Sequence, residues 1–554
     1  MAALLNYNFT SIFCCLFFCL HIITASASSY WVEEDHSSQD WLNHGGDLFN
    51  RRYASKENKI SPKSAPNLRL KWKFYAGREI TATPAIFKGT IYFPSWNGNI
   101  YAVKACDGSL VWEQSIQNLT GIKSPGSVTN VTFARATPTL AGDDHHDLLV
   151  VGIYGPAVVI ALNRIDGKLV WMTQLDSHNT GVITMSGTYY KGGFYIGTSS
   201  SEESLSIEQC CTFRGSLSKL DIRSGAILWQ TYMLPDNHGN KGDYAGAAIW
   251  GSSPSIDPLR NSVYIATGNL YSVPLRISQC QERENNQTVP THPDECIEPD
   301  NHSDSILALD LDYGEIKWYH QLGGYDVWFI ACGGSVSNPG CPPGPNPDAD
   351  FGEAPLMVTV WVNGSEHDVV VAVQKSGFAW ALNRDNGSLV WSTEAGPSGL
   401  GGGGTWGAAT DEENVYTNIA NTDAKNFTLV PSKMITNGGG WVAMDARDGK
   451  IVWSVANPSN TTSISGPVSV ANGVLFVGSP SAEGAIYAID TKSGKFIWSY
   501  YIGVGVYGGV SISDGCIYVG QGLSLITAPA GYNLSAPIYL YAFCIWAVGD
   551  ACLQ

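Results

Sequence analysis

One eleven-residue frame returns seven times in this chain: a small residue, a spacer, usually Asp or Asn, three residues, Gly, three residues, Trp. The copies end at Trp112, Trp171, Trp229, Trp318, Trp391, Trp453 and Trp498, the last running from Ala488 through Asp490 and Gly494. The sequence between copies varies freely, yet Gly stands four residues before Trp in every one. An Asp or Asn side chain accepts bonds from nearby backbone amides, and Gly supplies the positive φ of a tight turn. Asp107-Gly108, Asp166-Gly167, Asn386-Gly387 and Asp448-Gly449 have that chemistry. Each copy therefore predicts two strands joined by a turn, the second carrying a Trp whose large apolar surface packs between sheets.

An eighth Trp, in Leu68-Arg69-Leu70-Lys71-Trp72, lacks the preceding turn. From Trp72 to Trp498 the spacing averages about 61 residues, room for four short strands and their loops. Four-stranded units repeated radially make a β-propeller. WD repeats require Asp after the Trp, where this chain has Glu, Met, Gln, Tyr or Ser, and the paired glycines of kelch repeats do not recur in register. The expected fold is all-β, one eight-bladed propeller over residues 28–554. Val510 to Val519, Leu523 to Ala528 and Ile538 to Ile545 read as three strands with no later turn and Trp. The Trp72 strand is expected to complete that last blade and close the ring, which removes open sheet edges. The apolar segment 536–548 is too short to span a bilayer and reads as the last inner strand.

With 44% hydrophobic and 15% charged residues, 60 Gly and 18 Trp, the 554-residue chain suits a large turn-rich β core. A formal charge of −17 argues against nucleic acid or an anionic membrane as partner. Phe9 to Thr24 is an apolar run followed by Ala25-Ser26-Ala27, the pattern of a cleaved signal peptide over 1–27, so the protein is expected to be secreted without a transmembrane anchor. Beyond that leader ten of the 13 cysteines remain, an even number suited to disulfides, with Cys280–Cys296 and Cys332–Cys341 as loop staples. Glycosylation sequons occur at Asn118, Asn130, Asn286, Asn301, Asn363, Asn426 and Asn460. The long intervals around 276–301 and Cys341 to Pro345 are loops of the kind that bind ligands.

The stretch Trp41-Leu42-Asn43-His44-Gly45-Gly46-Asp47-Leu48-Phe49-Asn50-Arg51-Arg52-Tyr53, together with the repeated frame, resembles the pyrroloquinoline quinone (PQQ) dependent dehydrogenases, most closely their polyvinyl alcohol dehydrogenase branch. The resemblance covers essentially the whole mature chain and implies an eight-bladed propeller with the quinone and a Ca²⁺ ion near its axis. It implies Glu203, in Ser199-Ser200-Ser201-Glu202-Glu203, and Asn269, in Thr267-Gly268-Asn269, as Ca²⁺ ligands. Trp250 resembles the aromatic that stacks on the quinone, and Trp406 another floor aromatic. Cys210-Cys211 resembles the vicinal disulfide that faces the quinone elsewhere in the family, although there it lies in an earlier blade. Lys375 corresponds to the basic residue at the reactive carbonyls, where a cation stabilises developing negative charge, and Arg135 to a carboxylate-binding arginine.

In Tyr325-Asp326-Val327-Trp328-Phe329 the family has its catalytic Asp after the Trp, where this chain has Phe329. Alcohol oxidation needs a base for the hydroxyl proton, so Asp326 or Glu203 is expected to replace it. No Cys-x-x-Cys-His haem c attachment site occurs, so reduced quinone would need a separate electron acceptor. No P-loop, Gly-x-Ser-x-Gly or His-Glu-x-x-His occurs, and His145-His146 reads as a solvated loop. Two functions follow: a secreted quinoprotein dehydrogenase for secondary or polymeric alcohols, or an impaired propeller that binds a polysaccharide, polymer or protein.

Overall fold

A computed structural model describes residues 40–123, 130–142, 147–251, 253–284, 296, 298–332, 341, 342, 344, 346–460, 464–523 and 536–545. The leader 1–27, Asn286, His145-His146 and most of the expected strand 523–528 lie outside these residues. Eight antiparallel meanders form the ring. Blade 1 consists of Ala85–Phe87, Thr90–Pro94, Asn99–Lys104 and Leu110–Ser115, its strands A to D from axis to rim. Blades 2 to 7 follow over 139–174, 188–232, 255–321, 356–394, 409–456 and 469–501. Blade 8 takes Val510–Ser513, Cys516–Gly520 and Tyr539–Ile545 from the far end of the chain and Leu68–Tyr75 as its outer strand.

Ring closure by the Trp72 strand is therefore as expected, but two details differ. Val510 to Val519 is a hairpin, because Asp514-Gly515 turns it with φ of 49° and 77°. Tyr539–Ile545 is the third strand of its blade, paired with Leu68–Tyr75, and the innermost strand is Val510–Ser513. Cys516 and Cys544 face each other across this blade and are bonded, a pairing the spacing did not suggest. Cys280–Cys296 and Cys332–Cys341 are bonded as expected.

The repeated frame is the C–D hairpin. Its small residue lies directly opposite the Trp, as in Ala488 against Trp498 and Ala161 against Trp171, which leaves the indole room to lean toward the next blade. There the ring covers the turn glycine wherever the next blade has one: a Cβ on Gly108 would sit 2.7 Å from Trp72, one on Gly167 2.8 Å from Trp112, and one on Gly449 2.5 Å from Trp391. The indole N–H donates to a carbonyl of the same turn, Trp112 to Arg164 at 2.9 Å and Trp453 to Thr491 at 2.7 Å. Trp498 donates to Leu68 at 3.2 Å and Trp72 to Ala105 at 3.0 Å, so the contact passes through the closure. Each indole removes on the order of 200 Å² from water, roughly 5 kcal/mol at 25 cal/mol/Å². Gly and Trp keep their register because they meet across blades.

Inner strands leave one backbone edge facing the axis, where unpaired amides are costly. Residues 41–57 thread the axis and satisfy them. The amides of Ile86, Leu140, Ile256, Met357, Thr410 and Val470 donate to the carbonyls of Trp41, Leu42, Leu48, Phe49, Arg51 and Arg52. Gly515 of blade 8 donates to the Glu57 carboxylate at 2.9 Å. The axial hole is thereby plugged by the chain's own beginning.

Candidate functional site

In such meanders the A–B and C–D turns lie on one face, and the B–C and D–A connections on the other. The repeated Asp-to-Gly turn is on the first face. Glu203, Cys210, Cys211, Asn269 and Lys375 are on B–C loops, and Arg135, Trp250, Asp326, Phe329 and Trp406 on D–A connections. All of the expected site residues therefore share the second face.

Lys375 is the centre of one cluster. Its Nζ donates to Asp348 at 2.9 and 3.1 Å and to Asp350 Oδ2 at 3.0 Å. Burial opposes the ammonium, but Asp348, Asp350 and Glu203 outweigh it and raise the lysine above its ordinary range. Glu203 lies in the turn Glu202–Ser204; burial pushes its carboxyl to about 7, with Lys375 pulling it down and Asp350 pushing it up. The residue is only partly exposed to solvent. Burial also drives Asp348 well above the carboxylate range against the pull of Lys375. Three carboxyl groups thus share one ammonium.

Asn269 lies beside them. Its amide N–H donates to Asp350 Oδ1 at 2.5 Å, and its Nδ2 donates to the carbonyls of Leu270 at 2.8 Å and Trp328 at 2.7 Å, leaving Oδ1 as its remaining polar atom. Carboxylate oxygens with an oriented amide oxygen are the donor set a hard divalent cation takes.

The structure redirects the search for a base. Asp326 accepts the amides of Asp348 at 3.2 Å and Ala349 at 2.6 Å, so both oxygens hold the 348–350 segment in place, and burial pushes the group to about 6. It orients the loop instead of offering a free oxygen. Phe329, 4% exposed, packs with Cys210, Cys211, Phe213, Ala245, Ala248 and Tyr271. The carboxylates arrive later in the same connection, at Asp348 and Asp350, after the loop closed by Cys332–Cys341. Asp348-Ala349-Asp350, just past a Gly/Pro-rich stretch, was the available signal, and sequence reasoning missed it.

Trp250 faces this apolar cluster. Gly352 passes so close that a Cβ there would lie 2.7 Å from the indole. Lys375 Nζ is 5.3 Å from the Trp250 ring, and Trp406 meets it edge-on at 5.0 Å. Cys210 and Cys211 are bonded to each other, and Trp250 packs against the cluster that contains them. Glu202 and Glu203, left open in sequence, separate cleanly: Glu202 is bonded to main-chain amides of Thr212 and Phe213, and Glu203 faces Lys375.

Beyond Trp406 a cavity of about 330 Å³, counting its open mouth, runs along the axis between Arg135, Thr184, Ser186, Trp406, Tyr507 and His44. The Arg135 guanidinium meets ring faces, 4.4 Å from Trp406 and 6.0 Å from Tyr154, and lies beside the Tyr507 hydroxyl. His44 closes the bottom. Burial drives it well below its ordinary pKa, so it is neutral, and its Nε2 lies 2.5 Å from the Trp406 carbonyl and therefore carries the proton. Of the sequons, Asn301 is 4% exposed with its Oδ1 accepting the Ser303 amide, which excludes it as a glycan acceptor in the folded chain. Among the described residues no helix is long and apolar enough to cross a membrane.

An eight-bladed ring with one loop face, an acid-and-amide cluster around a lysine, and a polar axial cavity is the architecture of a quinoprotein-type propeller. Residues 41–401 match the glucose/ethanol/alcohol dehydrogenase β-propeller domain, the PQQ domain, and residues 438–530 match outer membrane protein assembly factor BamB. The chain belongs to the PQQ dehydrogenase propeller family. It is 28% identical over 529 residues to a polyvinylalcohol dehydrogenase of Pseudomonas sp., covering 88% of this chain and 74% of that one. A polyvinylalcohol dehydrogenase of Sphingopyxis sp. is 27% identical, over 84% of this chain and 70% of the relative. The solved quinohemoprotein alcohol dehydrogenase of Comamonas testosteroni superposes with a TM-score of 0.69 at 19% identity, over 92% of this chain and 81% of that one.

Proposed function

We propose that this protein is a secreted PQQ-dependent dehydrogenase that oxidises secondary or polymeric alcohols. The observation that carries the reading is the cluster at Lys375, where Asp348, Asp350, Glu203 and Asn269 gather under Trp250 and the Cys210–Cys211 pair. The donor set fits the cofactors at both ends. Glu203, Asn269 and Asp350 would hold Ca²⁺, whose charge offsets the excess of carboxyl groups over ammonium. Arg135, Thr184, Ser186 and Tyr507 supply a cation and hydroxyls suited to the acidic end of the quinone, and the flat faces of Trp250 and Cys210–Cys211 suit its plane.

When bound, the quinone and cation supply a polarised carbonyl carbon that accepts hydride. The chain's own residues do the rest. Asp348 takes the hydroxyl proton: among the described residues its carboxylate is bonded only to Lys375, whereas Asp350 is also fixed by the Asn269 amide. Lys375 pulls the Asp348 carboxyl toward its anionic form against the effect of burial and lends positive charge to oxygen that becomes negative. Leu205, Ile207 and Phe329 around the disulfide exclude water and favour an alcohol with an apolar substituent. Electrons then leave to a separate acceptor. The alternative of a non-catalytic binding module rests on Phe329 and on the missing haem-attachment motif; Asp348 and Asp350, both paired with Lys375, weigh against the first of these grounds.

Reconstituting purified protein with PQQ and Ca²⁺ tests this. At a hundred times the dissociation constant the pair should stabilise the fold by about 2.7 kcal/mol, and a secondary alcohol should then drive dye reduction. No thermal shift with both ligands overturns the quinoprotein reading; a shift without alcohol-dependent reduction returns the binding module.

A further inference from the structure

The two glutamates of the turn Glu202–Ser204 face different ways. Glu203 lines the Lys375 cluster, whereas Glu202 is 2% exposed and turned toward the vicinal disulfide. Its Oε1 accepts the Thr212 amide at 2.8 Å and its Oε2 the Phe213 amide at 2.8 Å, the two residues that directly follow Cys211. From the other side Asn237 Nδ2 donates to the Thr212 carbonyl at 2.7 Å, and the Cys210 amide donates to Ser206 at 2.9 Å. A Glu202 carboxylate oxygen and the two sulfurs all lie within 4.8 Å of one another. Sulfurs bonded to each other offer no thiolate, so this trio is not a metal centre.

We propose that Glu202 is a positioning residue that holds the Cys210–Cys211 disulfide in place and shields it from reduction. A buried carboxylate that accepts two consecutive amides fixes the peptide planes just after the disulfide, and charge-assisted bonds of this kind are short and directional. Cleavage of the disulfide requires one sulfur to leave as a thiolate, and an anion beside it in a poorly screened interior disfavours that second negative charge. His178 Nε2, 3.5 Å from Oε1, sits behind the carboxylate and is bonded to Thr212 Oγ1 at 2.9 Å, which closes the network against solvent. One consequence rests on the proposed quinone site: a disulfide held in this way presents a fixed face opposite Trp250.

The first test needs no cofactor. Folded full-length protein is treated with a water-soluble phosphine, which attacks one sulfur as the other leaves as thiolate; water then gives two thiols and the phosphine oxide. Alkylation and mass spectrometry follow Cys210 and Cys211, with Cys280–Cys296 as the internal control. Glu202→Gln should react at least about tenfold faster at the vicinal pair, with the control pair unchanged. Glu202→Asp, which keeps the charge, should return most of the way to the wild-type rate. Equal rates in wild type and Glu202→Gln, or acceleration at both disulfides alike, overturn the proposal. A second readout is PQQ affinity in a cycle with Cys210→Ser/Cys211→Ser. Glu202→Gln should weaken binding about tenfold when the disulfide is present and not at all without it. Equal losses in both backgrounds indicate general destabilisation and overturn positioning. If wild type binds no PQQ, the proposed function fails, and the reduction assay still decides this inference.

Discussion

Burying several carboxyl groups around one ammonium is unfavourable unless protons or a bound cation make up the charge. Asp304 shows the strain most clearly: among the described residues both its oxygens lack a hydrogen-bond partner, and burial, then Asp326, Asp350 and Asp348, push it well above the carboxylate range. It is therefore neutral beside the cluster, while Asp348 and Asp350 remain bonded to Lys375. Asp348→Asn is expected to lower kcat by about 10²- to 10⁴-fold with little change in cofactor affinity, read by steady-state kinetics and thermal shift. Phe329→Asp should not raise turnover if Asp348 is the base proposed above, and should destabilise by placing a charge in an apolar cluster. A clear gain in turnover would return the base to position 329. Glu353 offers a pH test away from the cation ligands. Fully buried, with its Oε1 accepting the Val373 amide at 2.9 Å, it is pushed up to about 7 by burial. A folded pKa above the unfolded one gives stability that is present below about 4.5 and lost as pH rises through about 7, up to about 3 kcal/mol. Thermal melts across that window should show the decline, and Glu353→Gln should flatten it.

Among elements, the C–D hairpin carries the fold, and its turn glycines do a job that the glycine of an A–B turn, such as Gly89, does not. Gly449 has φ of 74° and no room for a Cβ, with Thr393 Oγ1 at 2.4 Å and the Trp391 ring at 2.5 Å from where it would stand. Gly89 has φ of 72° and open space around it. Gly89→Ala should cost about 1 kcal/mol, the backbone term alone, and Gly449→Ala about 2–4 kcal/mol, since it also forces two blades apart. Comparable losses in denaturant melts of the two variants would show that the indole contact contributes little. The hairpin was legible in sequence because turn chemistry is local: Asp490 accepts the Ser493 amide three residues on, at 2.8 Å. The hairpin at Asp514-Gly515 was not, since its two strands are short and no Trp follows the turn to mark it.

For the whole molecule, closure and plug are one device. The outer strand of blade 8 and the axial segment are neighbours in sequence, so the beginning of the chain both seals the ring and fills its hole. Arg52 is the fastener: fully buried, it donates to the Val468 carbonyl at 2.6 Å, to Ser469 Oγ at 2.9 Å and to the His44 carbonyl. Arg52→Met should cost roughly 3–5 kcal/mol, because it strands buried acceptors and the Glu353 charge, whereas Arg69→Met on the exposed rim should cost within about 0.5 kcal/mol. Similar melting temperatures for the two would sink the fastener role.

Blade number and strand order within a blade followed from residues close together in the chain, because a turn, its glycine and the strand behind it obey local chemistry, and ring closure followed from the one Trp that lacks its turn. The site did not, and the ring's geometry explains why. Frames recur on the face of A–B and C–D turns, while the candidate site residues lie on the loops of the opposite face. Glu203, Asn269 and Lys375 were found by resemblance, each on its own loop. Asp348 and Asp350 went unseen, since their meaning lies in reaching Lys375, a contact made only once blades 4 and 5 stand side by side. The same holds for Glu202 and Glu203, adjacent in sequence and alike in chemistry, which the fold turns toward a disulfide and a lysine respectively.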